Sequence, residues 1–88
     1  MIGACLSPKD LNEEFEPIIV AQTAKGNWLA VDENQGVYKV LTSIELETDY
    51  TIADVFTDDM PELEESKNVA IIMVEQDGHN WEDYLANN

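Results

Sequence analysis

Apolar runs separated by turn residues fill the chain from residue 18 to residue 41. Residues 18–23, 28–31 and 37–41 are rich in Ile, Val and aromatic side chains, as strands usually are. The sequences "AKGN" and "DENQG" stand between them and are typical of turns. Because both connections are short, neighbouring strands should run antiparallel. The pattern predicts a three-stranded meander.

Two further apolar segments lie in the second half of the chain. Residues 68–76, "NVAIIMVEQ", are apolar without alternation, which predicts a central strand. Residues 51–56, "TIADVF", fit a helical face or a strand, because their apolar spacing and β-branched content allow both. With a half-buried strand at residues 43–50, these segments predict a small antiparallel sheet of four to five strands.

Short helices are predicted at both ends of the chain. Near the start, Ser7 is a good N-cap and Pro8 suits the first helical position. Leu11 and Phe15, four residues apart, would pack inward together. At the other end, "NWEDYLANN" predicts a closing turn or a short C-terminal helix capped by Asn80. The predicted fold class is therefore α+β.

The composition supports a single folded domain over residues 1–88. Hydrophobic residues make up 44% of the chain, which supplies a core at the size where one core just suffices. Nineteen acids oppose four lysines, with no arginine, and the net charge is −15. Such a chain repels nucleic acid and anionic membranes and attracts basic partners. Direct nucleic-acid binding and membrane binding are therefore excluded as functions.

Residues that usually carry catalysis or bind metals are scarce. His79 is the single histidine and is expected to lie exposed in the "DGHN" turn. Cys5 is the single cysteine, which fits a reducing compartment. "DENQG" offers Asp32 and Asn34 but lacks the other ligands of an EF-hand loop. We expect no enzyme activity, no cofactor and no metal site. A cytoplasmic location is expected, because no targeting signal or membrane span is present.

The acids are concentrated in one part of the chain. Residues 43–66 contain nine acids, and no basic residue lies between Lys39 and Lys67. A surface built for solubility alone would mix both signs of charge. The concentration therefore predicts a surface that contacts a basic partner.

Residues 43–50, "SIELETDY", alternate between apolar and acidic positions. On a strand, Glu45, Glu47 and Asp49 would form a ladder of charge at about 6.6 Å intervals, with Ile44 turned to the core. A groove lined by basic residues would meet this ladder as it meets a row of DNA phosphates. The residues predicted to contact the partner are Ser43, Ile44, Glu45, Glu47, Asp49, Asp54, Asp58, Asp59, Glu62, Glu64 and Glu65.

The chain resembles the small acidic DNA-mimic proteins of phages and mobile elements, most closely the uracil-DNA glycosylase inhibitors. The similarity is carried by Thr57, Asp59, Pro61, Glu62, the predicted strand at residues 69–74 and the turn formed by Asp77 and Gly78. Ser43 and Ile44 match part of a Glu-Ser-Ile edge strand in those inhibitors, and Thr42 stands in place of the glutamate. The resemblance implies an inhibitor that occupies the basic DNA groove of a host enzyme, either uracil-DNA glycosylase or a restriction or CRISPR defence enzyme.

Two other functions fit the same composition. The chain could be a small adaptor or subunit that binds a basic protein face, with an edge strand such as residues 18–23 pairing across the interface. It could also be a halophilic domain whose acids serve solvation only. Competition by DNA for the partner separates the mimic from the adaptor, and stability at low salt separates both from the halophile. The protein is expected to be a monomer or a homodimer.

Overall fold

The computed structural model describes residues 3–56 and 61–88. Its elements are β1 (Gly3–Pro8), β2 (Ile18–Gln22), β3 (Trp28–Asp32), β4 (Val37–Leu41), α1 (Ser43–Asp49), β5 (Tyr50–Phe56), α2 (Pro61–Gln76) and α3 (Trp81–Asn87). The strands form one sheet in the order β4-β3-β2-β1-β5, and every neighbouring pair is antiparallel. The predicted α+β class with a small antiparallel sheet is confirmed.

The predicted meander is present as β2, β3 and β4. Its two turns each contain a glycine with positive φ, 82° at Gly26 and 67° at Gly36, a conformation that favours glycine. The strand predicted over residues 18–23 is β2, which lies in the centre of the sheet. The prediction that this strand offers an open edge is therefore wrong.

The helix predicted at the N-terminus is absent. Ser7 and Pro8 end β1, and the chain then turns at Asp10, whose carboxylate accepts a hydrogen bond from the Asn12 N–H at 2.9 Å. Such local side-chain to backbone bonds compete with helix formation. Phe15 is buried as predicted, whereas Leu11 is exposed.

Within the predicted strand at residues 43–50, residues 43–49 instead form the helix α1, and Tyr50 begins β5. Thr42 caps α1, and its hydroxyl accepts a hydrogen bond from the Glu45 N–H at 3.1 Å. The Glu45 carboxylate in turn accepts from the Thr42 N–H at 3.3 Å, which completes a capping box. After α1, the ambiguous residues 51–56 belong to strand β5.

The central strand predicted over residues 68–76 is also wrong, because these residues belong to α2. Leu63, Ser66, Ala70 and Val74 are its buried positions, and their spacing is that of one helical face. Gly78, with φ of 86°, ends the helix. The N–H groups of Gly78 and His79 donate to the carbonyls of Glu75 and Val74, as in a Schellman motif.

The sheet separates two apolar clusters. On one face, Val20, Leu29 and Val31 pack with Leu63 and Ala70 of α2. The predicted C-terminal helix is confirmed as α3, and it packs on this same cluster. Its N-cap is Asn80, as expected. In residues 3–56 and 61–88, no helix is long and apolar enough to cross a membrane.

The other face has a lighter cover. Leu6, Ile19 and Ala30 of the sheet pack with Phe15 from the segment between β1 and β2. Leu46 of α1 packs against the same cluster but is only partly buried. This face therefore stays partly open to solvent next to β5.

Candidate protein-binding surface

The predicted ladder of Glu45, Glu47 and Asp49 is wrong, because these residues lie on α1. Successive helical residues are about 100° apart, so residues two positions apart point in very different directions. Glu45 and Asp49, four positions apart, share one side of the helix, and Glu47 lies on another. Ser43 and Ile44 are exposed, Ile44 to 76%. The prediction that Ile44 packs into the core is therefore wrong.

Asp54 and Glu62 from the predicted set lie near Cys5. Asp54 on β5 pairs directly with Cys5 on β1. Burial, then the charges of Asp54 and Glu62, raise the pKa of the Cys5 thiol. A raised pKa lowers the thiolate fraction, so Cys5 is a poor nucleophile here.

The remaining predicted contact residues are Glu64, Glu65, Asp58 and Asp59. Glu64 and Glu65 are exposed on α2. Asp58 and Asp59 lie outside the described residues, as does Thr57 from the resemblance. The apolar strand that the resemblance implied at residues 69–74 is part of α2, so that similarity does not extend to secondary structure.

A group of acids from two distant parts of the chain meets around Tyr50. Asp10, Glu13, Glu45 and Asp49 form this group, which we call the acidic cluster. Burial, followed by the charges of Glu13, Asp49 and Glu45, raises the pKa of the Tyr50 hydroxyl. A recess of about 470 Å³ lies beside them and is lined by Pro8, Lys9, Asp10, Glu13, Thr48, Asp49 and Tyr50.

Hydrogen bonds hold most of these carboxylates in place. Asp10 accepts from the Asn12 N–H at 2.9 Å, and Glu13 accepts from the Phe15 N–H at 3.1 Å. Glu45 is held by the capping box of α1. Three of the four carboxylates in the acidic cluster are therefore oriented by a local hydrogen bond and keep further oxygen lone pairs free to accept others.

Lys9 connects the two segments of the acidic cluster. Its backbone N–H donates to the Asp49 carbonyl at 2.9 Å, and its Nζ donates to the Glu47 carbonyl at 2.9 Å. This lysine extends the antiparallel register in which Pro8 pairs with Tyr50. The β1–β5 pairing is thus what brings Asp10 and Glu13 to α1. Sequence reasoning missed both acids, because their contact with α1 is non-local and leaves no sequence periodicity.

An apolar groove lies on the open face of the sheet, between α1 and β5. Its volume is about 250 Å³, below the roughly 300–1,000 Å³ of small-molecule sites. Ile52 and Val55 are each 56% exposed, although both are large apolar side chains. The groove is lined by Gly3, Ala4, Ile19, Trp28, Leu46, Ile52 and Val55.

Several other side chains that could bind a ligand or titrate make structural contacts instead. The Tyr38 hydroxyl donates to the Asp77 carboxylate, and His79 packs against the Tyr84 ring with centroids 5.5 Å apart. Asp32 is buried and organises the β3–β4 turn, so the hairpin interpretation of "DENQG" holds. In the part of the chain that the structure describes, no three His, Cys, Asp or Glu side chains are grouped to hold a metal ion.

No protein-family model matches the chain, and comparisons with curated proteins and with solved structures find no match either.

Proposed function

We propose that this chain is an acidic DNA-mimic protein that inhibits a DNA-binding host enzyme in the cytoplasm. It occupies the basic DNA groove of that enzyme and catalyses no reaction. A uracil-DNA glycosylase or a restriction or CRISPR defence enzyme is the class of target that the sequence resemblance suggests. The observation that carries the proposal is the acidic cluster, in which acids from two distant segments converge on one tyrosine.

Fixed carboxylates suit mimicry better than mobile ones. A mobile acid loses side-chain entropy when it binds, at about 0.5–1.5 kcal/mol for each immobilised side chain. Asp10, Glu13 and Glu45 already accept hydrogen bonds within their own segments, so much of this ordering precedes binding. The array replaces the predicted strand ladder as the part that stands in for phosphates.

An adaptor is the second candidate, and the open β5 edge favours it. β5 is the last strand of the sheet order, and Thr51–Val55 side chains are exposed along it. A strand with an open edge can bind a protein that never binds DNA. The two functions differ in one consequence: DNA displaces the partner of a mimic and leaves the partner of an adaptor bound.

The test is a pull-down from a bacterial lysate at low salt, eluted with duplex DNA and identified by mass spectrometry. We expect one nucleic-acid enzyme to be released by DNA, and we expect its binding to weaken as salt rises. The purified enzyme is then assayed for inhibition. A partner that resists DNA, or an enzyme that stays fully active when bound, would make the adaptor the better description.

Two matched variants test whether binding depends on the acidic cluster or only on the total charge of the protein. Asp10→Asn, Glu13→Gln and Asp49→Asn together remove three charges from the acidic cluster while keeping carbonyl acceptors. A control with Glu33→Gln, Glu75→Gln and Glu82→Gln removes three charges from exposed positions elsewhere. We expect the cluster variant to bind at least 10-fold more weakly than the control. Equal weakening would mean that net charge alone drives binding.

A further inference from the structure

We propose that β5 and the apolar groove dock an extended segment of the basic partner, which pairs with β5 as a sixth strand and places apolar side chains in the groove. This inference rests on the proposed function in one respect, that the partner is a basic protein. It names the contact that positions that partner beside the acidic cluster.

In residues 3–56 and 61–88, no strand pairs with the outer edge of β5. β5 lies at the end of the strand order and has β1 as its neighbour on the other side. Ile52 is opposite Leu6, whose N–H donates to the Pro17 carbonyl at 2.9 Å and so points away from β5. In an antiparallel ladder such a pair is not hydrogen-bonded, and the N–H and C=O of Ile52 therefore point outward.

Val55, the next position whose backbone points outward, is partly protected from pairing with another strand. Cys5 is opposite Asp54, and Val55 follows as the next non-hydrogen-bonded position. The Val55 N–H on that side donates to the Asp54 carboxylate at 2.9 Å. A carboxylate in this place discourages pairing with an acidic or neutral strand, as edge charges commonly do. A basic strand would neutralise it.

An added strand would present its side chains to the apolar groove. Side chains directly opposite each other on paired strands lie on the same face of a sheet. Ile52 and Val55 face the groove, so the residue paired with Ile52 would face it too. A groove of about 250 Å³ takes one or two apolar side chains. The alternate residues of the added strand would point to the other face.

Charge decides between a partner and a second copy of this chain. A β5–β5 dimer would bring together two chains of net charge −15, with Asp54 of each at the shared edge. Like charges directly opposite on paired strands are destabilising. A segment that alternates Lys or Arg with apolar residues satisfies both the acidic surroundings and the groove. The occupant we infer is therefore a basic, amphipathic strand of the partner.

The probe is the peptide Lys-Val-Lys-Leu-Lys-Val-Lys, with Lys-Ser-Lys-Ser-Lys-Ser-Lys as a control of equal charge. NMR titration of the labelled protein gives both affinities, and amide exchange reports pairing at β5. We expect the first peptide to bind at least 10-fold more tightly and to slow exchange of the Ile52 N–H. Equal affinities, or no protection at Ile52, would overturn the inference.

Ile52 variants separate docking from simple attraction. If an apolar contact is required, Ile52→Glu and Ile52→Lys both weaken binding of the first peptide by 10-fold or more. If charge alone governs binding, the two variants move affinity in opposite directions, which would refute docking. Ile72→Glu is the matched control, because Ile72 is 54% exposed on α2 and should leave affinity near that of the unaltered protein.

Two further readouts keep this test distinct from that of the proposed function. Sedimentation of the free protein should show a monomer, and a dimer abolished by Ile52→Pro would assign β5 to self-association instead. If the two peptides bind equally but DNA releases an enzyme from the pull-down, the proposed function stands without strand docking. If the peptide docks but DNA releases nothing, docking stands and mimicry fails.

Discussion

Asp32 is the acid whose neutralisation should destabilise this fold most clearly. Its side chain is 3% exposed at the end of β3. One carboxylate oxygen accepts the N–H groups of Asn34 and Gln35 at 3.0 and 3.2 Å, and the other accepts the Glu16 N–H at 3.1 Å. Asp32 therefore ties the β3–β4 turn to the segment that precedes β2.

The magnitude follows from these three bonds. Asp32→Asn keeps one acceptor oxygen and puts an amide donor against the Glu16 N–H, at a cost of about 2 kcal/mol. Asp32→Ala loses all three bonds and should cost about 3–4 kcal/mol. Because 1 kcal/mol shifts Tm by about 4–8 °C in a domain of this size, Asp32→Asn should lower Tm by roughly 8–16 °C.

Urea and thermal unfolding followed by circular dichroism measure the effect. Glu33→Gln is the control, since it removes one charge from an exposed side chain in the same turn. Neutralising Glu33 should change the free energy of unfolding by no more than about 0.5 kcal/mol, with any change stabilising because it reduces self-repulsion. Similar midpoints for Asp32→Asn and Glu33→Gln would show that Asp32 does not hold the turn.

The remaining predictions concern α1, β1 and the C-terminal end of α2. Thr42→Ala removes the α1 cap and should cost about 1 kcal/mol in urea unfolding; an unchanged midpoint would contradict the helix at residues 43–49. Gly3→Ala adds a Cβ that overlaps the Leu63 side chain and the Ile19 backbone carbonyl and should cost about 1–3 kcal/mol, and a variant as stable as the parent would show that β1 is less closely packed against α2 and β2. Tyr38→Phe should cost about 0.5–1.5 kcal/mol near neutral pH, because it removes the bond to Asp77. Partial burial and that bond raise the pKa of Tyr38 to about 12, so its stabilisation is complete below about pH 10 and is lost as pH rises toward 12. The stability difference between the parent and Tyr38→Phe should close over that range, and a constant difference would refute this linkage.

The meander could be predicted because its signals are local. Short β-rich runs and glycine turns at Gly26 and Gly36 determine it without reference to distant residues. The strand predicted at residues 68–76 was wrong, because an apolar run without alternation does not distinguish a buried strand from a buried helix. The deciding signals lay outside the run, in Pro61 at the start of α2 and Gly78 at its end.

The strand predicted at residues 43–50 was wrong for a related reason. Alternation does not match one face of a helix, and Ile44 is accordingly 76% exposed on α1. The sequence Thr42-Ser-Ile-Glu45, however, carries a capping box that favours a helix. At the N-terminus a helix was predicted where the structure has the end of a strand. Ser7 and Pro8 look like a helix start, but β1 pairs with two strands, and that non-local pairing outweighs a local helical preference.

The sequence shows the excess of acids but not which of them lie together in the fold. Composition shows the excess of acids directly, whereas the acidic cluster depends on β1 pairing with β5. That register brings Asp10 and Glu13 to Asp49, which lies 39 and 36 residues further along the chain. The apolar groove arises in the same way, since its lining comes from β1, β2, β3, α1 and β5.

The arrangement of the acids is an argument against a purely solvating coat. Like charges gathered around Tyr50 oppose folding, and Lys9, which lines the same recess, offsets only one of the four acids. A coat could avoid this repulsion by spreading its acids. Here Asp10, Glu13 and Glu45 are instead held in place by hydrogen bonds, so the repulsion persists in the free protein. The proposed basic partner would relieve that repulsion on binding. Charges that weaken the free fold would then strengthen the complex, and neutralising the acidic cluster should raise stability while it lowers binding, a coupling that a coat would not produce.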